Sequence, residues 1–541
     1  MNGIGRANWQ KEKGPINESQ RRRGSQGLDH RVKDKMRNRQ ERLLDDEEST
    51  TSSASQERLL HLCKILYFLN GFSASSFGRF GTIFYRTVAH LSAAQIGLLE
   101  AAQPAAAVVG NQLFGYVSDR LQRKKAVTLL ARVVTTAVLL LLALPRVAHS
   151  MVLILAVMST VAFFSVGDGV LDSYTLDLLG TERRGEYGRY RLWTAVSWGL
   201  GNVAMGLVAK VNFNFNFVAF GVLNMVNIGL VAIALPARTR GEAELIAQRK
   251  KPLPGAPQLT QAPTPSSPTP PSPSPQPPRD RTSLLRALRR WRMVVFLLYV
   301  LALLGVGNTL VERFLFVYAL DELGADSALC GYSVAMTVLF ELPIFHFGAW
   351  LIKRVGHDNM IMLATASYVL RVLGYTRLTE KTVWYLLALE PFHGLTYGFF
   401  WTASVDKMKL EFPAEWQTTG QLLLKSMWSL GQIAGSLFGG FFYQHGSLLG
   451  LREGRALYAV TGLAFAALLA AHVLATLLLR SCGSRGLFTP PPQGLLAAAT
   501  HTATRVSEPV ETNVDPLPPL RTEAARPLNS DGLTRVRDTA A

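Results

Sequence analysis

The sequence predicts an all-α membrane protein, with twelve transmembrane helices in two pseudo-symmetric six-helix halves. Three observations carry that prediction. Apolar residues come in blocks long enough to span a bilayer. Basic residues crowd alternate loops. Small motifs recur after about 230 residues.

The apolar blocks come first. The chain has 541 residues, of which 48% are hydrophobic and 17% charged. A soluble domain carries roughly 25% charged residues. A helix needs about 20 mainly apolar residues to cross a hydrocarbon core of about 30 Å. Segments that qualify lie at 59–85, 94–117, 126–145, 150–179, 190–209 and 215–236, and then at 291–319, 329–352, 359–377, 382–406, 418–443 and 456–479.

Orientation follows from the loops. Arg120, Arg123, Lys124 and Lys125 follow the second span, Arg183, Arg184 and Arg189 the fourth, and Arg249, Lys250 and Lys251 the sixth. The loops after spans one, three, five and seven are short and poor in basic residues. This bias puts both termini in the cytosol. It also accounts for the net charge of +18, so no nucleic-acid partner is expected. No cleaved leader is expected either, because the first apolar segment starts near Leu59 behind a basic tail.

The domain reading is a disordered cytosolic tail (1–58), a six-helix half (59–236), a Pro-rich basic cytosolic linker (237–290), a second six-helix half (291–480) and a disordered cytosolic tail (481–541). Pro252 to Pro278 is Pro, Ser, Thr and Gln with almost no apolar residue, so it cannot bury a core. A plain tether is the simpler reading of the linker, and a docking site for a Pro-binding module is the alternative. The internal repeat supports the two halves. Trp198, Gly201 and Ala204 in span five match Trp428, Gly431 and Ala434 in span eleven, and Asp177 and Asp406 close spans four and ten. Repeated helical halves with a solute site between them are a transporter signature.

Several classes are excluded. There is no GxxxxGK[ST] loop for ATP, and there is no HExxH, Cys/His cluster or nucleophile elbow. Cys63, Cys330 and Cys482 lack metal-ligand spacing. Neither an enzyme nor a cofactor is expected. The partners expected are a bilayer, a small solute and protons.

These motifs resemble a known family. GYVSDRLQRKK at Gly115–Lys125 resembles the loop between helices two and three of the major facilitator superfamily, without the usual Gly after the basic residue. LSAAQIGLL at Leu91–Leu99, YGRYRLWTAVSWGLG at Tyr187–Gly201, ELPIF at Glu341–Phe345 and FHGLTYGFFW at Phe392–Trp401 look like the branch that holds lactose permease, nucleoside:proton symporters and domain-containing-protein-6-like proteins. The resemblance covers 59–480. It implies transport of a sugar- or nucleoside-like solute, with oligomeric state, organelle and direction of flux left open.

Ionisable residues inside spans are costly and face a cavity or a partner. At 1.5 Å of rise per residue, Glu341 lies about 18 Å into span eight and His393 about 17 Å into span ten. Arg371 lies about 20 Å into span nine. Glu390 is one turn from His393. An acid, an Arg and an acid–His pair at similar depth can hold a proton whose affinity depends on where the Arg sits. The resemblance implies proton coupling for Glu341, Arg371, Glu390 and His393, with the order of the tenth-helix pair reversed. A buried structural ion-pair network is the alternative.

In the first half, Asp168 and Asp172 share a helix face, and Arg191 opens span five. The resemblance implies that Asp172 and Arg191 grip solute hydroxyls while Trp198 stacks on the solute. Asp168 is taken as a further solute contact. The alternative for Asp172 and Arg191 is a latch between two helices. A carboxylate at Asp119 suits an approaching helix N-terminus. The resemblance implies that it stabilises one access state, with Arg120 beside it. Glu312 and Arg313 are read as a gate pair. Arg79, Lys64, Arg132 and Lys425 are read as snorkelling, although Arg79 could also receive an anionic solute. Gly431, Gly435 and Gly439 mark a close-packing face. Two further function classes stay open: an uncoupled facilitator of the same fold, and a non-transporting receptor or scaffold.

Overall fold

In a bilayer every backbone N–H and C=O must find a partner within the protein, which favours helices. The computed structural model describes residues 55–165, 167–180, 183, 186–238, 242–243, 246, 285, 288–412, 416–448 and 450–490. Helices occupy every interval expected from the apolar blocks. They are α1 (55–75), α2 (Gly81–Thr87), α3 (Ala93–Leu121), α4 (Lys124–Leu140), α5 (Pro145–Ala148), α6 (Met151–Phe163), α7 (Gly167–Leu179), α8 (Tyr187–Val211) and α9 (Asn214–Ala234). After the linker come α10 (Trp291–Val300), a π-helical stretch Leu301–Gly307, α11 (Asn308–Asp321), α12 (Ser327–His346), α13 (Gly348–Val355), α14 (His357–Tyr375), α15 (Leu386–Leu389), α16 (Pro391–Glu411), α17 (Gln417–His445) and α18 (Glu453–Ser481). A two-residue-strand hairpin, Ser447–Leu448 with Leu451–Arg452, joins the last two.

Among the described residues, six helices are long and apolar enough to cross a membrane. They are α4 with its extension to Ala143, α8, α9, the run Trp291–Asp321, α12 and α18. Ile233 is 88% exposed and Val211 79%. Large apolar side chains left uncovered around a bundle suit lipid rather than water.

Local chemistry sets the helix ends. Ser92 accepts from the Gln95 amide while Gln95 accepts from the Ser92 amide, a capping box that starts α3. Gln122 closes α3 in the left-handed conformation, at φ 49°. Asp326 caps α12 by accepting from the Leu329 amide at 2.8 Å.

Several of the expected spans are interrupted, span three by the 3₁₀ turn Leu141–Ala143 and span eight at Phe347 among them. Turns at 76–80 separate α1 from α2, and a break at 164–166 separates α6 from α7. The π-helical stretch separates α10 from α11, and Glu390 precedes Pro391 at the start of α16. Proline supplies no N–H there, so the preceding helix turn cannot continue its ladder.

Two large helix contacts bring residues 55–238 against residues 288–490, with a smaller one between α2 and α11. In the first, α3 packs on α17, and Gly97 lies so close to Gly440 that a Cβ on Gly440 would fall 2.8 Å from the Gly97 Cα. In the second, α8 packs on α12, where Ser327 Oγ donates to the Gly206 carbonyl at 3.0 Å. Lys210 also pairs with Asp326 at 2.8 Å and Arg86 with Asp321 at 2.7 Å. All these contacts gather at the end away from the basic loops. Burial pushes the Asp326 carboxyl up, but Lys210 and the amides of Leu329 and Ala328 outweigh it, so it sits below the usual carboxylate value. Its contribution is therefore present at neutral pH and is lost as the pH falls through that lowered value. The Gly431, Gly435 and Gly439 face packs as expected, against Leu301, Val306 and Leu310.

One boundary is corrected. The tail expected to be disordered from 481 is packed as far as Pro490. Phe488 is fully buried against Phe296, Tyr299 and His472. Its amide donates to Asp358 at 2.7 Å, and Thr489 donates to the same carboxylate. A pocket of three aromatic side chains and an uncapped carboxylate is a feature of the folded bundle, invisible in a polar stretch of sequence. Residues 1–54, most of the linker and residues 491–541 lie outside the described residues. Phe488→Ala should cost about 3 kcal/mol, read as a lower melting temperature of the purified protein.

Candidate functional site

The second segment brings its predicted ionisable residues together. Arg371, on α14, is fully buried. Its Nη2 donates to Glu390 Oε2 at 2.9 Å, its Nε to the Tyr375 hydroxyl and its Nη1 to His393 Nδ1. Tyr375 donates to Glu390 Oε1 at 2.6 Å and Thr337 to Glu390 Oε2 at 2.9 Å. Three donors on one carboxylate is the pattern of an acceptor-only, ionised group.

The tautomer of His393 follows from its partner. A guanidinium can only donate, so Nδ1 must accept and a neutral ring carries its proton on Nε2. Nε2 lies 3.7 Å from Glu312 Oε1. Protonating Nδ1 would place two donors face to face, so a proton there and the Arg371 contact exclude each other.

The cluster reaches across to the first segment. Arg79 Nη2 lies 3.4 Å from the same Glu312 oxygen. Arg79 is only 8% exposed, so the snorkelling expectation is corrected: the turn at 76–80 tucks the guanidinium inward, where a carboxylate compensates it. Glu341, on α12, is half-buried and has no hydrogen-bond partner among the described residues, while the charges of Glu312 and Arg79 act on it. Two guanidiniums thus face three carboxylates, which leaves one negative charge unbalanced when all are ionised and His393 is neutral.

Glu312 and Arg313 do not pair with each other. Neighbours on a helix point about 100° apart, and each finds its own partner in the first segment. Arg313 Nη1 lies 2.8 Å from Glu100 Oε2, with both side chains largely buried. Glu100 was not singled out from the sequence, although it is the lone acid between Leu91 and Gly110. That isolation in an apolar run was the available signal.

The first-segment residues form a looser group. Arg191 Nε lies 3.6 Å from Asp172 Oδ1, which accepts from the Tyr67 hydroxyl at 2.8 Å. The Arg191 guanidinium also stands 5.7 Å over the Tyr67 ring. Trp198 lies against Gly78, where a Cβ would come 2.6 Å from the indole. It therefore neighbours the turn that holds Arg79. Its counterpart in the repeat, Trp428, joins an aromatic group with Tyr397 and Trp401, at centroid separations of 5.4–6.0 Å. The structure adds that group to the site. Asp168 lies in α7 and Asp119 in α3, but their side chains lie outside the described residues. Arg120 is exposed and donates to the Tyr116 hydroxyl of its own helix at 2.9 Å. Among the described residues no group of three His, Cys, Asp or Glu side chains could hold a metal ion.

Comparison with known proteins bears on this geometry. The family model described as "MFS_1 like family" matches residues 60–450. Major facilitator superfamily domain-containing protein 6-like protein B of Xenopus laevis is 28% identical over 158 residues, 29% of this chain. That match covers 25% of the Xenopus protein's length. Maltose permease of Geobacillus stearothermophilus is 23% identical over 70% of this chain and 86% of its own. The crystal structure of the nucleoside transporter NupG superposes with a TM-score of 0.60 at 17% identity, over 76% of this chain and 98% of that one. That likeness carries the fold alone. The chain belongs to the MFS_1 like family, and it is an integral, multi-pass membrane transporter of the major facilitator superfamily rather than an enzyme.

Proposed function

We propose that this chain is a secondary active transporter that symports a small polar solute with protons by alternating access. The observation that carries the reading is the buried charge cluster. Arg79, Glu312, Glu341, Arg371, Glu390 and His393 meet where the two segments face each other, with one carboxylate unbalanced. Glu390 is saturated by donors, and Glu341 has none. Glu341 is therefore the proton carrier of this reading. Protonating His393 or shifting Arg371 would redistribute charge within the cluster and change how tightly Glu341 holds its proton.

The two-half, twelve-span layout is part of the proposal. The helix interruptions support it. Those at 76–80 and 301–307, and at 164–166 and Glu390, stand about 225 residues apart, and interrupted helices flank substrate sites in transporters built from repeats. With both termini cytosolic, the tight contacts between segments lie at the outer face, so the site communicates with the cytosolic side. Asp172, Arg191 and Trp198, with Tyr397 and Trp428 opposite, offer hydroxyl-binding charge and aromatic faces. That chemistry fits a sugar- or nucleoside-like solute, and the names of the maltose and nucleoside transporters above point the same way. Asp119 and Arg120 would bias the access state at the basic end, and Glu312 and Arg313 at the other.

The test begins with a thermal-shift screen of the purified protein against sugars and nucleosides, since a ligand of the folded state raises apparent stability. With the solute so found, Glu341→Gln in proteoliposomes should abolish accumulation driven by a pH gradient yet keep exchange between equal concentrations. Gln keeps the shape and cannot carry the proton. Normal accumulation with unchanged proton movement in Glu341→Gln would overturn the assignment. Wild-type flux insensitive to the pH gradient would identify an uncoupled facilitator, and absence of flux a receptor or scaffold.

A further inference from the structure

A second polar space lies inside the first segment, apart from the central cluster. It is a cavity of about 280 Å³ walled by α1, the turn after it, α2, α3, α4, α6 and α9, with Arg313 reaching in from α11. None of Asp172, Arg191, Trp198, Glu341 or His393 lines it. Its polar wall includes Tyr85, Glu100, Gln103, Ser73, Asn224 and Asn70. A smaller void of about 10 Å³, room for one water, continues past Asn70 and Arg132, which line both. Its far wall carries Lys125, whose amine donates to the carbonyls of Ala232 and Leu235 at 2.7 Å each. That is the end of the bundle that bears the basic loops.

Three buried atoms along the large cavity make no hydrogen bond of good geometry to a described residue, although Gln103 stands near enough to Glu100 to act on its carboxylate. They are the Tyr85 hydroxyl, Glu100 Oε2 and Gln103 Nε2. Arg313 Nη1 stands 2.8 Å from that Glu100 oxygen, but not in line for a hydrogen bond. Polar groups inside a bilayer need partners, and a roomy polar cavity supplies them as water. Waters in such a column hand protons along hydrogen bonds.

We propose that this column is a water-filled proton path, separate from the central cluster, which carries protons from the basic end of the bundle to the Glu100 carboxylate. The step is a relay: a hydronium at the basic end gives its excess proton to the first water, each water receives one proton and passes one on, and the last hands one to Glu100, so that no hydroxide is left behind. It leaves a neutral acid that no longer holds Arg313 electrostatically. Arg313 stays charged, with Glu312 beside it. Because Glu100 and Arg313 belong to different segments, loading the proton loosens one tie between them. The groups facing Glu100 are few. Arg313 and Glu312 come from α11, Tyr85 from α2 and Arg132 from α4. The Met151–Phe163 helix, α6, has no ionisable side chain, and α17 meets α3 near Gly97 through Ser436 and Gly440. The inference needs no identified solute and no coupling role for Glu341.

The test uses the full chain in lipid nanodiscs. Infrared difference spectra between acid and neutral pH should show the carbonyl band of a protonated carboxyl that is lost in Glu100→Gln, moved in Glu100→Asp and kept in Glu341→Gln. A band set unchanged by Glu100→Gln would overturn the proposal. A second arm covers a variant that fails to fold. Radiolytic labelling, in which hydroxyl radicals form from water in place, should oxidise Phe77, Met158 and Phe220, which line the cavity. Asn70→Leu should slow the appearance of the Glu100 carbonyl band after a pH jump several-fold. Absence of labelling at these side chains, or a band that rises at an unchanged rate in Asn70→Leu, would mean that the column is dry or the path absent.

Discussion

Arg371→Met should lower the stability of the folded protein by about 3–5 kcal/mol and stop solute-driven proton movement. Methionine keeps most of the length of the side chain and none of its donors. Glu390 would lose the partner at 2.9 Å and keep only the hydroxyls of Tyr375 and Thr337. His393 would lose the donor on Nδ1. A buried charge without its counter-charge is the expensive outcome, more than the absence of the pair itself. Adding Glu390→Gln to Arg371→Met should therefore recover much of the melting temperature, because no lone charge remains, while coupling stays lost. Thermal melts of the two variants against wild type make the comparison. Equal melting of Arg371→Met and wild type would show that the cluster does not hold the bundle. Recovered proton movement in the double variant would remove Arg371 from the coupling role.

Gly440→Val should hold apart the end of the molecule away from the basic loops. A Cβ on Gly440 would fall 2.6 Å from the Ala93 carbonyl oxygen and 2.8 Å from the Gly97 Cα. Both are backbone atoms, so no side chain can swing aside, and α3 and α17 must separate. The Ala94 amide now donates to Gln444 Oε1 at 3.2 Å across that contact. Cysteines at Ala94 and Gln444 should cross-link readily in the parent protein and poorly with Gly440→Val. Gly229→Ala is the control, because nothing lies within 4 Å of a Cβ there. Equal cross-linking with and without Gly440→Val would mean that this contact does not control closure. Transport turnover should fall as well, since a carrier held open at one end cannot complete its cycle.

Most of the helical intervals were legible because a hydrocarbon core makes a one-dimensional demand. It asks for a run of apolar residues of sufficient length, and runs can be counted along the chain. The same demand exposed Glu341, Arg371, Glu390 and His393, since ionisable residues in such runs are costly. Their meeting was anticipated in outline, and Arg371, Glu390 and His393 do touch. Glu341 stands beside the cluster without a hydrogen bond, a difference that depends on how α12 is rotated about its axis. Rotation leaves no mark in a run that is apolar nearly all round.

The pairings across the molecule were beyond the sequence for the same reason. Glu312 and Arg313 are adjacent in the chain and look like a pair, yet a helix turns them apart, to Arg79 and Glu100. Arg79 reads as a snorkelling residue when span one is taken as continuous. The break at 76–80 draws it inward instead.

By itself the sequence determined that this chain crosses a membrane many times, that its charges sit at a few costly positions, and that its motifs match a transporter family. Hydropathy and spacing are properties of the chain, and the bilayer acts on each run separately. Tertiary structure alone decided which carboxylate faces which guanidinium, which of them stands without a donor, where helices break, and that Phe488 closes the end of the second segment. Those outcomes depend on distances of about 3 Å between residues hundreds of positions apart, where the free energy of an ion pair or a hydrogen bond is won or lost.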